Sequence, residues 1–324
     1  MKKIYLILSV FAIVFTACET DFDVNAEWEE LTVVYGLLDA SKDIQFIKIS
    51  KAFLGDMAPS VMAQYADSIN FDEAELAVKV IRIESNGNKD TIILDEVPTL
   101  RNDGVFNDSI MLYTFENKPF LNSNSEYELL IQNNITGNEV SSSTNIISGF
   151  SFSNFSSNPK FGFYNPSFPD SSKFKSKTIE WSKSKNGEIY QLDMIFEYTE
   201  DGDTANPIKL TWSQPLELFN GGSMQSKLEG VKFFNFLRNS IAEDDINREF
   251  QNIDLVMTVG TEDLNTYIKV NEPITGIVQQ RPQFTNINNG IGIFSSRYTY
   301  TVSEIDLTPY TRDYLIDELG RNFQ

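Results

Sequence analysis

From Leu31 onward the chain is a succession of short segments rich in β-branched and aromatic residues, separated by turn signals, and this spacing constrains the fold most. Leu31 to Leu38 and Ile44 to Ser50 flank Asp39-Ala40-Ser41-Lys42-Asp43. Strand patterns resume at Leu76 to Glu84, Thr91 to Leu94, Met111 to Glu116, Glu126 to Gln132 and Glu139 to Thr144, with Asn86-Gly87 and Thr136-Gly137-Asn138 as hairpin turns. In Ile44 to Ser50, apolar residues on both alternating faces predict a strand buried on both sides. Residues 57 to 70 break the pattern and are expected to form a short helix or excursion.

Short strands at this spacing predict a mainly β protein built from immunoglobulin- or fibronectin-like β-sandwiches, and 324 residues suffice for two domains. The first is expected over 31 to 149. Residues 145 to 176 change character, mixing Ser, Asn and Pro with Phe150, Phe152, Phe155, Phe161, Phe163, Tyr164 and Phe168, and 150 to 176 is the expected junction. A second β-rich domain, 177 to 324, opens with Lys177 to Trp181, Asn186-Gly187 and Tyr190 to Tyr198. A Trp on one strand followed by a turn and a Tyr-initiated alternating strand resembles the front half of a fibronectin type III domain. Ile208 to Ser213 and Ile253 to Val259 read as strands, Val231 to Ile241 as a helix, and Asp263 to Val270 as either. Thr308-Pro309 to Leu319 reads as a helix with a hydroxyl cap, Pro in its first turn and Gly320 at its stop.

Composition removes several kinds of chemistry. The chain has no histidine and one cysteine, which excludes His-based triads, His metal sites, zinc clusters and internal disulfides. With 26 Lys and Arg against 46 Asp and Glu, the net charge is −20, which argues against nucleic acid as a partner. No cofactor is expected. Carboxylates are the abundant acid–base groups, and a glycosidase needs only two of them. Glu243, Asp244 and Asp245 form one cluster and Glu262 and Asp263 another, while Asp193 sits in an apolar strand. An acidic solvated surface accounts for all of them, and no residue is assigned a catalytic role. Glu200-Asp201-Gly202-Asp203 lacks the acidic ladder of a calcium loop and reads as a hairpin turn, and Asn289-Gly290-Ile291-Gly292 reads as a turn or bulge. No metal site is expected.

The N-terminus locates the protein. Lys2 and Lys3 precede an apolar run, Ile4 to Phe15, that is too short to span a bilayer, so residues 1 to 17 read as a signal peptide. Phe15-Thr16-Ala17-Cys18 resembles a bacterial lipobox, with Phe15 in place of the usual Leu. The resemblance implies that Cys18 is lipidated and that 18 to 30 form an acidic tether. Glu19, Asp21 and Asp23 resemble the export signal that sends Bacteroidota lipoproteins to the outer face of the outer membrane. Asp67-Ser68-Ile69, Asp90-Thr91-Ile92, Asp108-Ser109-Ile110 and Asp203-Thr204-Ala205 resemble the O-glycosylation sequon of that phylum, which marks Ser68, Thr91, Ser109 and Thr204 as candidate sites.

Two stretches, EELTVVYGLLDASKDIQFIKISKAF and DLNTYIKVNEPITGIVQQRPQFTNINNGIGIFSSR, resemble uncharacterised Bacteroidota surface lipoproteins with immunoglobulin-like sandwiches. That resemblance implies an outer-membrane lipoprotein and assigns no catalytic residue. The later stretch reads as a long loop pinned by Tyr267, Pro273, Pro282 and Phe284, followed by a strand at Ile293 to Ser296. The expected function is non-enzymatic binding, as an accessory subunit of an outer-membrane β-barrel protein in TonB-dependent transport, secretion or barrel assembly. Phe161, Phe163, Tyr164, Tyr267 and Phe284 are the candidate contacts, while the first reading of the Phe cluster is that its rings glue the two domains together. The alternative is a glycan-binding or carboxylate-based glycan-processing lipoprotein with a concave site lined by Tyr164, Trp181 or Trp212.

Overall fold

The computed structural model describes residues 31–52, 69–100, 109–147, 149–155, 158–273 and 283–324. The signal peptide, Cys18, the acidic residues Glu19, Asp21 and Asp23, the excursion after Ala52, Ser68 and Pro282 lie outside the described residues, as does the side chain of Ser109.

The protein is mainly β, with 50% strand and 13% helix. The first half carries β1 (Leu31–Asp39), β2 (Ile44–Ala52), β3 (Leu76–Ile83), β4 (Lys89–Ile93), β5 (Asp95–Leu100), β6 (Ser109–Glu116), β7 (Glu126–Asn133) and β8 (Glu139–Asn145). The second carries β9 (Lys160–Phe161), β10 (Ser176–Trp181), β11 (Ile189–Glu200), β12 (Ile208–Ser213), β13 (Glu217–Leu218), β14 (Met224–Glu229), β15 (Arg248–Gly260) and β16 (Gly290–Leu307). Among the described residues three α-helices join them: α1 (Gly230–Ser240), α2 (Glu262–Asn271) and α3 (Pro309–Asp317). None of the described helices is long and apolar enough to cross a membrane.

One large sheet runs through both halves in the order β12-β11-β15-β16-β1-β2-β6-β5, with β13 on β11 and β9 on β16. The strand that joins the halves is β16. Its first residues run parallel to β1, from Thr32 opposite Gly290 to Asp39 opposite Arg297. Its later residues run antiparallel to β15, from Gly260 opposite Arg297 to Ile253 opposite Ile305. Gly292 explains how β16 lies so close to β1. It has φ +114°, and a Cβ built on it would sit 2.0 Å from the carbonyl oxygen of Val34, so no other residue fits without moving backbone. The Gly-x-Gly stretch expected as a turn or bulge is therefore the start of a long strand. The turn proper falls one residue earlier, at Asn289 with φ 57°.

Two cores form against the inner face of this sheet. In the first, Val34, Leu38, Ile47 and Ile49 of β1 and β2 meet Val78, Val80, Leu129 and Ile131 from the four-stranded sheet β4-β3-β7-β8. In the second, Leu192, Met194, Phe196, Leu255 and Met257 of β11 and β15 meet Ile179, Trp181, Met224 and Leu228 of the β10–β14 pair, with Phe233, Phe234 and Leu237 of α1. Of the face expected from helical spacing, Val231, Phe234, Leu237 and Ile241, the last three are buried, whereas Val231 is 48% exposed and Phe233 takes its place in the core.

The Phe-rich stretch belongs inside the second core. Phe150, Phe152, Phe161 and Phe163 are buried there, and Phe163 stacks on Phe233 at 4.5 Å with planes 28° apart. The chain is held in place by backbone: a Cβ at Gly230, where α1 begins, would lie 2.4 Å from the Phe163 carbonyl oxygen. Each of these rings removes a full aromatic surface from water, about 1.5–3 kcal/mol apiece. The Trp–turn–Tyr pattern spans the two layers of a sandwich: β10 pairs with β14 in one sheet, β11 pairs with β12 and β15 in the other, and Trp181 and Tyr190 meet between them at 6.0 Å between ring centroids.

A candidate binding groove on the outer face of the shared sheet

The clearest apolar concavity lies on the opposite face of the same sheet. The β1–β2 hairpin is fixed at its tip by a buried glutamine. Gln45 Nε2 donates to the carbonyl oxygens of Asp39 and Lys42, and its Oε1 accepts from Asp39 N–H at 2.7 Å. With Gln45, Ile47 and Ile49 turned inward, period-two alternation turns Ile44 and Phe46 outward, and both are about half exposed at 50% and 52%. The expectation that this strand is buried on both faces is therefore corrected: half of its apolar residues face solvent. From β1, Tyr35 is exposed and Leu37 partly so.

Helix α2 forms the facing wall: of the strand and the helix that the sequence left open for Asp263 to Val270, the helix forms, and it occupies the start of the stretch also read as a long loop. Thr261 caps it, accepting from Leu264 N–H at 3.4 Å, and the Thr261 hydroxyl is hydrogen-bonded to that of buried Ser295 on β16. Asn286 adds a second tie, donating to Asp263 Oδ2 at 3.0 Å and to the Phe294 carbonyl at 2.8 Å. These ties hold Leu264 and Tyr267 beside Ile293, which is 3% exposed although it belongs to neither core. The result is a groove of about 670 Å³ with apolar walls from Tyr35, Leu37, Ile44, Phe46, Leu264, Tyr267 and Ile293. Tyr35 and Tyr267 meet edge to face, 6.3 Å apart at 76°. Burial, with the Tyr35 hydroxyl alongside, pushes the Tyr267 phenol up to about 12, so it stays protonated at neutral pH.

One end of the groove is polar. Asp39 is buried, and its oxygens accept from Ser41 N–H and Oγ and from Thr299 Oγ1. Arg297 Nε is 3.6 Å from Asp39, and Lys42 and Asp43 complete the rim.

Of the residues expected at a contact surface, the structure brings Tyr267 into this groove and removes others. Phe161 and Phe163 are 0% exposed, so they cannot touch a partner. Their aromatic density reflects core packing in the second half. Tyr164 is half-buried against Tyr314 and Phe174, 4.5 and 5.5 Å away, and Phe284 is half-buried on the chain leading into β16. Of Tyr164, Trp181 and Trp212, any of which was expected to line a sugar site, Trp181 is 1% exposed and lines no surface, while Trp212 is half-buried and stacked on Phe236. Sequence reasoning missed Tyr35, Ile44, Phe46 and Leu264. The signal was present in β2, where only one face carries a glutamine able to satisfy a hairpin tip from inside.

The acidic clusters are spread among local partners. Asp244 and Glu200 hold the buried guanidinium of Arg248 at 2.9 and 3.0 Å, and Glu243 meets Arg321. Glu262 and Asp263 occupy the first turn of α2, where a helix N-terminus favours negative charge. Asp193 is partly exposed on the outer sheet face, accepting from Gln191 at 3.4 Å. Glu200 to Asp203 opens the β11–β12 connection, with Asp201 and Gly202 at positive φ, as a turn requires. Among the described residues no three carboxylates or thiols are grouped to hold a metal ion. Thr91, on β4, and Thr204 are exposed. No protein-family model matches the chain, and no curated protein matches it in sequence.

Proposed function

We propose that this chain is a lipid-anchored protein of the outer membrane, exposed at the cell surface, and that it works by binding rather than by catalysis. Its partner in this reading is an outer-membrane β-barrel protein, to which it is an accessory subunit in transport, secretion or barrel assembly. The anchor rests on the sequence of residues 1 to 18: two lysines, a short apolar run and a small-residue approach to Cys18. The binding role rests on one observation. Tyr35, Ile44 and Phe46 leave an apolar sheet face open to solvent in a chain whose charge of −20 otherwise favours a hydrated surface. The perpendicular Tyr35–Tyr267 pair offers no flat platform for a sugar ring, which favours a protein contact over a glycan.

The test is recovery of the tagged chain from gently solubilised outer membranes, with co-purifying proteins identified by mass spectrometry. One barrel recovered in near-equal amount supports the proposal. Recovery of the chain alone overturns it.

A further inference from the structure

We propose that Lys51, Glu75 and Asn133 form a self-modifying site, at which the lysine amine displaces ammonia from the asparagine carboxamide and leaves an amide crosslink between Nζ and Cγ. Glu75 is its catalytic residue, because it touches both reacting groups. The crosslink ties the large sheet, which holds Lys51 on β2, to the four-stranded sheet, where Asn133 ends β7 and Glu75 precedes β3. In a chain with one cysteine, no internal disulfide can make such a tie.

The three side chains share one buried carboxylate. Glu75 is 6% exposed and Asn133 4%. Lys51 Nζ lies 3.4 Å from Glu75 Oε2, and Asn133 Nδ2 donates to Oε1 of the same group at 2.9 Å. Amine and carboxamide thus meet one acid–base group, each at its own oxygen, and rotation about the flexible lysine stem is the movement that brings Nζ to Cγ. The carbonyl is prepared as well. Asn133 Oδ1 accepts from the N–H groups of Ile135 and Thr136 at 2.8 and 2.9 Å, two donors placed where negative charge develops when the carbon is attacked. Lys51 Nζ stands 4.9 Å from the centroid of the buried Phe71 ring, which shields the amine from water on that side. Ala74, next to Glu75, holds φ 59°, a left-handed conformation that is costly for a residue with a Cβ and that persists where a functional group must be held in place.

The step balances without oxidant or co-reactant. Lys51 Nζ passes a proton to Glu75, exchanging an ion pair for two neutral groups, a change that costs less in a site shielded from water than in solution. The neutral amine attacks Asn133 Cγ, and the carbonyl electron pair moves onto Oδ1 between the two backbone donors. Glu75 relays protons from Nζ to Nδ2, the Cγ–Nδ2 bond breaks, and ammonium departs. One ammonium side chain and one carboxamide give one secondary amide and one ammonium ion. This happens once per chain and turns over no substrate, so it stands apart from the binding role of the groove.

Peptide mapping of the purified full chain, folded and held at neutral pH before trypsin digestion, tests this directly. The expected result is a branched peptide pair, uncut at Lys51 and lighter than its two parts by one ammonia, with fragmentation placing the junction at Lys51 and Asn133. Lys51→Arg should abolish the pair, and Glu75→Gln should slow its formation about a hundredfold, with circular dichroism showing that each variant keeps its strands. The wild-type digest decides the matter even where a variant fails to fold. Cleavage at Lys51 with an intact Asn133 peptide in the wild type means a hydrogen-bonded ion pair and nothing more, and overturns the proposal. So does a crosslink that forms at an undiminished rate in Glu75→Gln.

Discussion

Two aromatic regions look alike in the sequence and end in opposite environments. The segment holding Phe150, Phe152, Phe161 and Phe163 has the densest rings, yet every one of these is buried in the second core. The outer face of β1 and β2 has only Tyr35 and Phe46, and they stand 44% and 52% exposed. What separates the regions is the structure laid over them. The Phe segment is covered by α1, β11 and α3, with Gly230 letting backbone approach backbone. The β1–β2 face has a single helix beside it, α2, which lies over Ile293 and brings Leu264 and Tyr267 to the groove. Aromatic density therefore marks where a core needs filling, and an exposed apolar face is found only by asking which of two alternating faces has a sheet packed against it.

The comparison breaks first at the buried end. Phe163→Ala should lower stability by about 3–5 kcal/mol, because the ring leaves a cavity beside Phe161 and Phe233 that rigid neighbours cannot close. Urea denaturation would measure it, and a loss below about 1 kcal/mol would mean that the segment is a surface strip after all. Next in size is Gly292→Ala. With φ +114° and the Val34 carbonyl in the way, it should cost about 3 kcal/mol and expose β1 amides to hydrogen exchange ahead of those in β11.

A smaller effect is expected from Glu75. Burial alone would push its carboxyl up, but Asp72 N–H, Asn133 Nδ2 and Lys51 outweigh this and hold it below the usual carboxylate value. A group with a depressed folded-state pKa stabilises the protein above its unfolded value. That contribution, complete above about pH 4.5, is lost as pH falls toward the folded-state value. Glu75→Gln should therefore flatten the acid limb of the stability profile, and an unchanged limb would contradict the account. The smallest change belongs to the exposed face. Phe46→Ser should move stability by no more than about 0.5 kcal/mol in the same denaturation experiment, while abolishing partner recovery.

Local pattern made much of the fold legible. Strands β1 to β3, β7, β8 and β12 fall where alternation and turn residues place them, and α1 and α3 follow from helical spacing and from Pro309. The strands that were missed are ones whose pattern is set by distant partners. β14 reads MQSKLE, polar at every second position because its outer face is solvent, and β5 contains Pro98, permitted because β5 is a sheet edge. The full length of β16 was hidden because its first residues, glycines and serines among them, are shaped by β1, more than 250 residues earlier in the chain. The groove was hidden for the same reason. Tyr267 stood out in the sequence, but its neighbour Tyr35 comes from the other end of the chain, and nothing local pairs them.

The central claim is that the outer face of β1–β2, with α2 beside it, meets the partner and that the Phe-rich side of the second half, though denser in rings, does not. Site-specific photocrosslinking in intact membranes tests it most directly, with a benzophenone amino acid placed once at Phe46 and once at Tyr310, which is 46% exposed on α3. The account predicts one discrete crosslinked product from position 46, containing an outer-membrane barrel, and none from position 310. Crosslinking from position 310 alone, or equally from both, would contradict it.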